Sequence, residues 1–193
     1  ETIPIASHMR VLDLRNRSII AVDLSELNEL QDLEELILSD NRLMTIDLTV
    51  LAFLPVVRTV LLNNNNLQIL NLDMIGYCSQ LEHLDLSGNQ LLRVDLAPVA
   101  ECKSLIFLNL ENNKLLNLDL SPLFRCAKLE ELNLLENPLK RLDITPLFSC
   151  ASLRSFLFPE DMRLISKKKQ DIEILNPPAI NELIAREKIE FMV

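Results

Sequence analysis

The chain has 193 residues, of which 49% are apolar, and its formal net charge is −9. This length is enough for one domain with a buried core, and no run of about 18 apolar residues is present to cross a membrane. The acidic balance, without a basic stripe interleaved with aromatic residues, excludes nucleic acid as the main partner.

Few of the residue patterns that enzymes use are present. The chain has only two glycines, Gly76 and Gly88, so no glycine-rich loop is available to hold phosphate groups. His8 and His83 are isolated, and the sequence contains no HExxH, GxSxG or CxxC motif. The sequence therefore predicts that the protein is not an enzyme and uses no cofactor.

Residues 1–8 precede the first regular pattern. They lack the basic patch and apolar region of a secretion signal. The letters ASHM in this segment resemble a cloning remnant. We treat residues 1–8 as an N-terminal extension without a functional role.

From residue 9 the sequence repeats every 24 residues without insertion or deletion. Each copy begins with the pattern L-x-x-L-x-L-x-x-N-x-L. Residues 81–91 show this pattern in full. Alternating leucines predict a half-buried strand. One strand cannot bury its apolar face alone, so successive coils are expected to stack their strands into a parallel sheet. The apolar residues that open the copies are Met9, Leu33, Val57, Leu81, Leu105, Leu129 and Leu153.

An asparagine follows the strand of most copies, where the chain must turn inward. Its buried amide is expected to satisfy backbone groups of its own coil and of the adjacent coil, because it offers both donors and an acceptor. Arg17 and Asp161 replace it in the first and last copies, as expected for terminal coils. The column comprises Asn41, Asn65, Asn89, Asn113 and Asn137.

The second half of each copy has its own pattern. An apolar–Asp–apolar triplet predicts a short extended segment. In most copies a Ser, Thr or Asp follows, and Pro98, Pro122 and Pro146 stand next in three copies. This order predicts an N-cap with proline at the first helical position. We therefore expect a helix of about two turns on the outer face, and this wider outer layer bends the stack into an arc.

The repeat resembles the leucine-rich repeat family over residues 9–163, in seven consecutive copies. The resemblance implies an α/β, right-handed solenoid shaped as an arc, with a parallel sheet on the concave face and short helices on the convex face. It also implies a protein-interaction module that binds a protein or peptide on the concave sheet. Two alternatives remain: a regulatory or adaptor subunit of an enzyme complex, of the GTPase-regulating or ubiquitin-ligase type, and a structural fragment of a larger chain.

The cysteines also recur every 24 residues, at positions 78, 102, 126 and 150. Leu30 and Leu54 fill the same slot in earlier copies, so the pattern favours buried, apolar thiols over a metal ladder or disulfides. Without a disulfide framework, we expect a reducing, cytoplasmic location.

The aspartates in the triplets suggest either calcium ligands or acceptors for N–H groups at the helix start. Each copy supplies one carboxylate and Asn71 interrupts the row, which favours the second interpretation. No metal site is predicted.

Two positions of each strand should project from the concave face: the residue before the second leucine and the residue after it. Ile37 and Leu61 form an apolar pair in this pattern, unless a loop or the chain terminus covers them. The C-terminal half is acidic, so we expect a partner with an apolar anchor and basic residues. The candidate partner-binding residues are Ile37, Thr59, Leu61, His83, Asp85, Phe107, Asn109, Glu111, Glu131 and Glu136.

Residues 164–193 depart from the repeat and predict a C-terminal cap. Asn176 is the expected N-cap of a helix, with Ile180, Leu183 and Ile184 on its apolar face. Phe156 and Phe158 replace leucines beneath this helix. We expect a monomer.

Overall fold

The computed structural model describes residues 8–167 and 176–192. Within these ranges, strands β1–β6 and β8 form one parallel sheet, and β7, β9 and β10 form a second, three-stranded sheet. The strands are β1 (Val11–Asp13), β2 (Glu35–Ile37), β3 (Thr59–Leu61), β4 (His83–Asp85), β5 (Phe107–Asn109), β6 (Glu131–Asn133), β7 (Arg141–Asp143), β8 (Ser155–Leu157), β9 (Arg163–Ser166) and β10 (Ile189–Phe191).

The strands of the larger sheet pair in the register that the repeat predicts. Leu84 lies beside Val60 on one side and Leu108 on the other, so each residue meets the residue 24 positions away. The middle residue of these strands points into the core, where Leu36, Leu84 and Leu132 are fully buried. The predicted solenoid with a parallel sheet is therefore confirmed.

The outer face differs from the prediction of two-turn helices, because it carries 3₁₀ helices of five residues. Buried residues recur there at every third position, as Leu24, Leu27 and Leu30 do in the first coil, and the N–H of Leu27 donates to the Leu24 carbonyl. A spacing of three is the 3₁₀ period rather than the α period. The segments are Ser25–Glu29, Thr49–Phe53, Asp73–Tyr77, Ala97–Glu101, Ser121–Arg125 and Thr145–Ser149.

The residue that caps each 3₁₀ helix is also different from the prediction. Ser121 is the first residue of its helix, and Asp119 accepts hydrogen bonds from the Ser121 N–H at 2.8 Å and from its hydroxyl at 2.5 Å. In the preceding coil Ala97 has no hydroxyl, yet its N–H still donates to Asp95. The aspartate column therefore does the capping, as the hydrogen-bonding interpretation of that column predicted.

The asparagine column makes the predicted bonds to its own and adjacent coils. The Asn89 amide donates to the carbonyls of Leu62 and Leu86 at 3.0 and 3.1 Å, and its oxygen accepts the Leu67 N–H at 3.1 Å. Among the described residues, no buried side-chain nitrogen or oxygen is without a hydrogen-bond partner. The polar column is thus fully compatible with a leucine-rich interior.

Of the extended segments predicted in the first six coils, only that of the sixth coil is a strand, β7. There β9 pairs with β7, and β10 pairs with β9, so ladder hydrogen bonds are available that the earlier coils lack.

The C-terminal helix α1 spans Pro178–Ala185 and buries the predicted face. Its N-cap is Pro177, not Asn176, which shares hydrogen bonds with Asn181 instead. The helix begins later than predicted because Pro178 disfavours the helical conformation for the residue before it, and Pro177 is extended with φ −53° and ψ 145°. The helix meets the last coil through the Ala179 N–H, which donates to the Leu153 carbonyl. The Phe156 and Phe158 rings lie 5.0 Å apart in this coil.

Candidate protein-binding surface

The sheet brings most of the predicted binding residues onto one face. Two columns run across the strands, and alternation along each strand directs both of them away from the core. Thr59, His83, Phe107 and Glu131 lie in register in one column. The other column contains Ile37, Leu61, Asp85 and Asn109 in register.

The apolar pair in these columns is less accessible than the sequence suggests. Ile37 and Leu61 are neighbours in register, but Ile37 retains only 4% of its exposure while Leu61 is half-buried. Ile37 is not part of the leucine core beneath the sheet, so its burial arises on the concave side. Leu61 is therefore the accessible member of the pair.

Next to Leu61, the same face carries an aromatic pair. The rings of His83 and Phe107 lie in adjacent strands with centroids 6.0 Å apart and planes inclined at 39°. Both side chains are half-buried. Leu61, His83 and Phe107 together form an apolar and aromatic surface over β3, β4 and β5, which we call the concave anchor.

The acidic residues lie beside the concave anchor. Asp85, Glu111 and Glu136 lie at or after the C-terminal ends of strands, whereas Glu131 opens β6 next to Phe107. Asp85 accepts hydrogen bonds from the Ser87 N–H and hydroxyl, and Glu111 accepts one from the Asn133 amide at 2.9 Å. Glu131 is half-buried and Glu136 is exposed. No cation among residues 8–167 or 176–192 forms an ion pair with Asp85, Glu111, Glu131 or Glu136, so this acidic group keeps its charge.

Glu136 has a left-handed backbone conformation, which other residue types adopt more easily. Its φ is 54°, and the equivalent turn positions hold Asn112 with φ 49° and Gly88 with φ 62°. Left-handed backbone costs a residue with a Cβ about 1–2 kcal/mol, and asparagine and glycine tolerate it best. A glutamate therefore occupies this position although the left-handed backbone favours asparagine or glycine.

Two further glutamates contribute less charge than their number suggests. Glu82 pairs with Arg58 at 2.9 Å, and Glu130 pairs with Arg154 at 3.3 Å. Arg10 and Glu34 form the same kind of pair at the N-terminal end. Glu82 and Glu130 are therefore partly neutralised by ion pairs with the neighbouring coils. The 24-residue spacing of these opposite charges is the signal that reveals the pairing in the sequence.

Sequence reasoning did not select Asn133, although it takes part in this surface. Asn133 extends the column of Asn109, is largely buried, and links β6 to Glu111. Its position in the register was available from the repeat alone, but its hydrogen bond depends on the turn after β5.

The described ranges contain no group of three or more His, Cys, Asp or Glu side chains arranged to hold a metal ion. Nor does any helix there have the length and apolar character needed to cross a membrane. The four cysteines are buried free thiols.

Comparison with known proteins agrees with the architecture. Residues 31–91 match the family model described as leucine rich repeat. Together with the solenoid of stacked parallel strands, this match supports the leucine-rich repeat fold for the chain. Such a scaffold is typical of non-enzymatic protein-interaction modules.

Among solved structures, the chain is similar to internalin C2 from Listeria monocytogenes, with a TM-score of 0.63 and 27% sequence identity. The similarity covers 84% of this chain and 64% of internalin C2, so the chain spans less than two thirds of that protein. Because 277 chains of solved structures show significant similarity, the fold by itself does not select a partner. No curated protein sequence shows a significant match.

Proposed function

We propose that the protein is an interaction module whose concave face binds a protein or peptide carrying an apolar anchor beside basic residues. The observation that carries the proposal is the concave anchor of Leu61, His83 and Phe107. It lies beside carboxylates that form no ion pair with a cation of the described residues. Apolar and aromatic side chains that share neighbouring strands of a solvent-facing sheet are more typical of a binding site than of a passive surface.

The apolar part of the partner is expected at Leu61 and Phe107. These side chains are only partly accessible in the free protein, so a partner removes little additional rotamer freedom when it covers them. Central contacts of this kind usually dominate an interface, and each contributes about 1–2 kcal/mol or more. Ile37 lies beside Leu61 in the register and Thr59 borders this surface on the same strand as Leu61.

The basic part of the partner is expected over the acidic group. Asp85, Glu111, Glu131 and Glu136 are held on successive coils, and neutral donors from Ser87 and Asn133 fix two of them in place. Charges at the rim of an interface mainly accelerate and orient association, and salt screens them. Asn109 lies between Asp85 and Asn133 in the register and supplies a neutral polar contact.

The test is site-specific photo-crosslinking in a native extract. A photoreactive amino acid at position 107 should crosslink to a partner, whereas the same group at Phe124, an exposed residue on the convex face, should not. The matched substitutions are Leu61→Asp and Phe124→Asp. We expect the first to weaken capture at least about tenfold and the second to leave it unchanged.

A double change, Glu131→Lys with Glu136→Lys, addresses the acidic group separately. It should slow association and flatten its dependence on salt. If capture survives both the Leu61 and the glutamate changes while Phe124→Asp abolishes it, the binding surface is convex and the proposal is wrong.

The setting of this function is proposed to be cytoplasmic, with the protein acting as a monomer. Support for a reducing compartment comes from the four unpaired thiols. The identity of the captured partner would also distinguish a simple interaction module from an adaptor or regulatory subunit of an enzyme complex. Light scattering of the purified chain measures its molar mass and so tests whether it is a monomer.

A further inference from the structure

A row of exposed apolar side chains runs along one flank of the solenoid, between the sheet and the 3₁₀ helices. Each member is 58–71% exposed. Four of them occupy the same position of the repeat, and in the third coil this position is Gln68 while the apolar residue stands one place later. We call this row the flank ladder, and it comprises Ile20, Met44, Ile69, Leu92 and Leu116.

The flank ladder is held in place by the coils rather than carried on free loops. The residue before each of Met44, Leu92 and Leu116 is a fully buried leucine. Backbone hydrogen bonds join the coils on either side, for example from the Lys114 N–H to the Leu91 carbonyl at 2.9 Å. Single exposed apolar residues are common on proteins, but an aligned row of them marks an interaction surface.

The charge around the flank ladder is opposite to that of the chain as a whole. The four residues of each coil that surround it, from 18–21 in the first coil to 138–141 in the sixth, include no Asp or Glu. The basic residues in these segments are Arg42, Arg93, Lys114, Lys140 and Arg141. Lys140 pairs with Asp161, but the exposed Arg42, Arg93 and Lys114 form no ion pair with any described residue. The chain has a net charge of −9, so this flank is a local basic surface.

We propose that the flank ladder is a second docking surface, which takes an amphipathic helix with acidic residues beside its apolar stripe. Neighbouring coils are about 4.8 Å apart at the sheet, and an α-helix brings its apolar stripe forward by about 5.4 Å per turn. The two repeats therefore stay nearly in step along the row. From Ile20 to Leu116 the row crosses four intervals, or about 19 Å, which a helix of about 13 residues covers.

The surroundings of the flank ladder favour a narrow partner over an anionic membrane. The exposed aspartates of the capping column, including Asp47, Asp95 and Asp119, lie only three residues beyond it in each coil. A broad anionic surface would meet these carboxylates as well as the basic residues. A single helix, about 10 Å across, fits on the apolar row and meets the basic side.

This surface is distinct from the concave face in position and in charge. The concave anchor lies beside carboxylates, whereas the flank ladder lies beside Arg93 and Lys114. The two surfaces therefore select partners of opposite charge, and one chain can hold both at once.

The experiment uses fluorescence anisotropy with a labelled synthetic peptide of about 16 residues, with leucines at helical spacing and glutamates elsewhere. A peptide of the same composition in scrambled order is its control. The protein variants are Leu92→Glu with Leu116→Glu on the flank, and Leu61→Asp on the concave face as the matched control. Circular dichroism checks that each variant is folded. We expect folding to be preserved because the changed side chains are exposed or half-buried.

We expect the ordered peptide to bind in a salt-dependent way and the scrambled one at least about tenfold more weakly. The flank variant should lose binding by a similar factor, and Leu61→Asp should retain it. A second variant, Arg93→Glu with Lys114→Glu, should also lose binding while keeping the apolar row.

Failure of the ordered peptide to bind, equal binding of the scrambled peptide, or loss of binding in Leu61→Asp alone would overturn the proposal. Vesicles containing phosphatidylserine are tested in parallel. If the wild-type chain binds these vesicles and not the peptide, and the flank variants abolish that binding, the surface recognises a membrane and the helix proposal is wrong. Apart from the Leu61→Asp control, none of these variants alters the concave face.

Discussion

The asparagine and cysteine columns lie at opposite ends of the same coils, and their energetics differ although their periodicity is identical. Asn113 donates to carbonyls of two coils at 3.0 and 3.1 Å and accepts the Leu91 N–H at 3.0 Å. Cys102 offers only its thiol to the Ile75 carbonyl at 3.4 Å. Both side chains are buried, so their difference lies in how many backbone groups depend on them.

A residue type that recurs in every coil does not by itself reveal how much it contributes to the free energy of unfolding. An asparagine removed from the inner turn leaves buried backbone groups without partners, and each such group costs about 1–3 kcal/mol. A cysteine acts mainly as a small apolar side chain, with a weak S–H donor. Leu30 and Leu54 replace it in the first coils, whereas no apolar residue replaces the asparagine from Asn41 to Asn137.

The largest expected effect is that of Asn89→Ala in the middle of the stack. It removes the bonds to Leu62, Leu86 and Leu67 and should lower the free energy of unfolding by about 3 kcal/mol or more. Urea denaturation measures the change. The matched control is Asn66→Ala, whose oxygen accepts only a 3.4 Å bond from Gln90, and it should cost less than about 0.5 kcal/mol. Equal losses in the two variants would contradict the comparison.

The next effect concerns the thiols. Cys102→Ala should cost about 1 kcal/mol, similar to the loss of one buried methyl group. Burial raises the pKa of the Cys102 thiol from 9.0 to about 12, so native labelling by iodoacetamide at pH 8 should be slow and become complete only on unfolding. Rapid labelling of the folded protein, or a mass that reveals disulfides, would contradict a column of buried thiols.

The same thiols predict a loss of stability in alkali. Because the pKa is raised in the folded state, the stabilising contribution is complete below the unfolded value of 9.0 and is lost as the pH rises toward about 12. Melting temperatures between pH 8 and pH 11, about the range that this shift defines, should fall more steeply in the wild type than in Cys102→Ala. Identical slopes would show that the Cys102 thiol does not contribute.

A smaller effect is expected from the capping aspartates on the outer turn. Asp119→Ala should cost about 1 kcal/mol, the usual value for a lost cap. Hydrogen bonds from the Ser121 hydroxyl and then from its N–H lower the pKa of Asp119 from 3.8. Its contribution is therefore present above pH 3.8 and is lost as the pH falls below that value. Acid unfolding of the variant should be less steep than that of the wild type.

The smallest effect is expected at the surface. Arg58 and Glu82 are separated by 2.9 Å, but 47% and 31% of their side-chain surfaces remain exposed. A double-mutant cycle with Arg58→Ala and Glu82→Ala should give a coupling of about 0.2–1 kcal/mol that falls with added salt. A coupling as large as the Asn89 effect would mean that the outer charges, and not the inner amides, hold the coils together.

The 24-residue period alone determines most of the fold. It fixes the parallel register, the burial of Leu84 and its equivalents, and the inward position of the asparagines, since each of these follows from coils of equal length stacked on one another. The 3₁₀ helices were also readable from the buried Leu24, Leu27 and Leu30, although the serine and proline signals suggested longer helices. Of the binding surface, the sequence indicated the columns and their neighbours in register.

Only the tertiary structure decides which of these residues remain accessible. Ile37 and Leu61 have the same place in the repeat, yet in the folded stack Ile37 is buried and Leu61 remains partly accessible. Ion pairs between coils remove Glu82 from the acidic group, and the second sheet forms only where β9 meets β7. The flank ladder likewise becomes a surface because stacking aligns residues 24 positions apart. Local sequence sets the direction of each side chain, but exposure and charge pairing depend on neighbours that only the folded stack brings together.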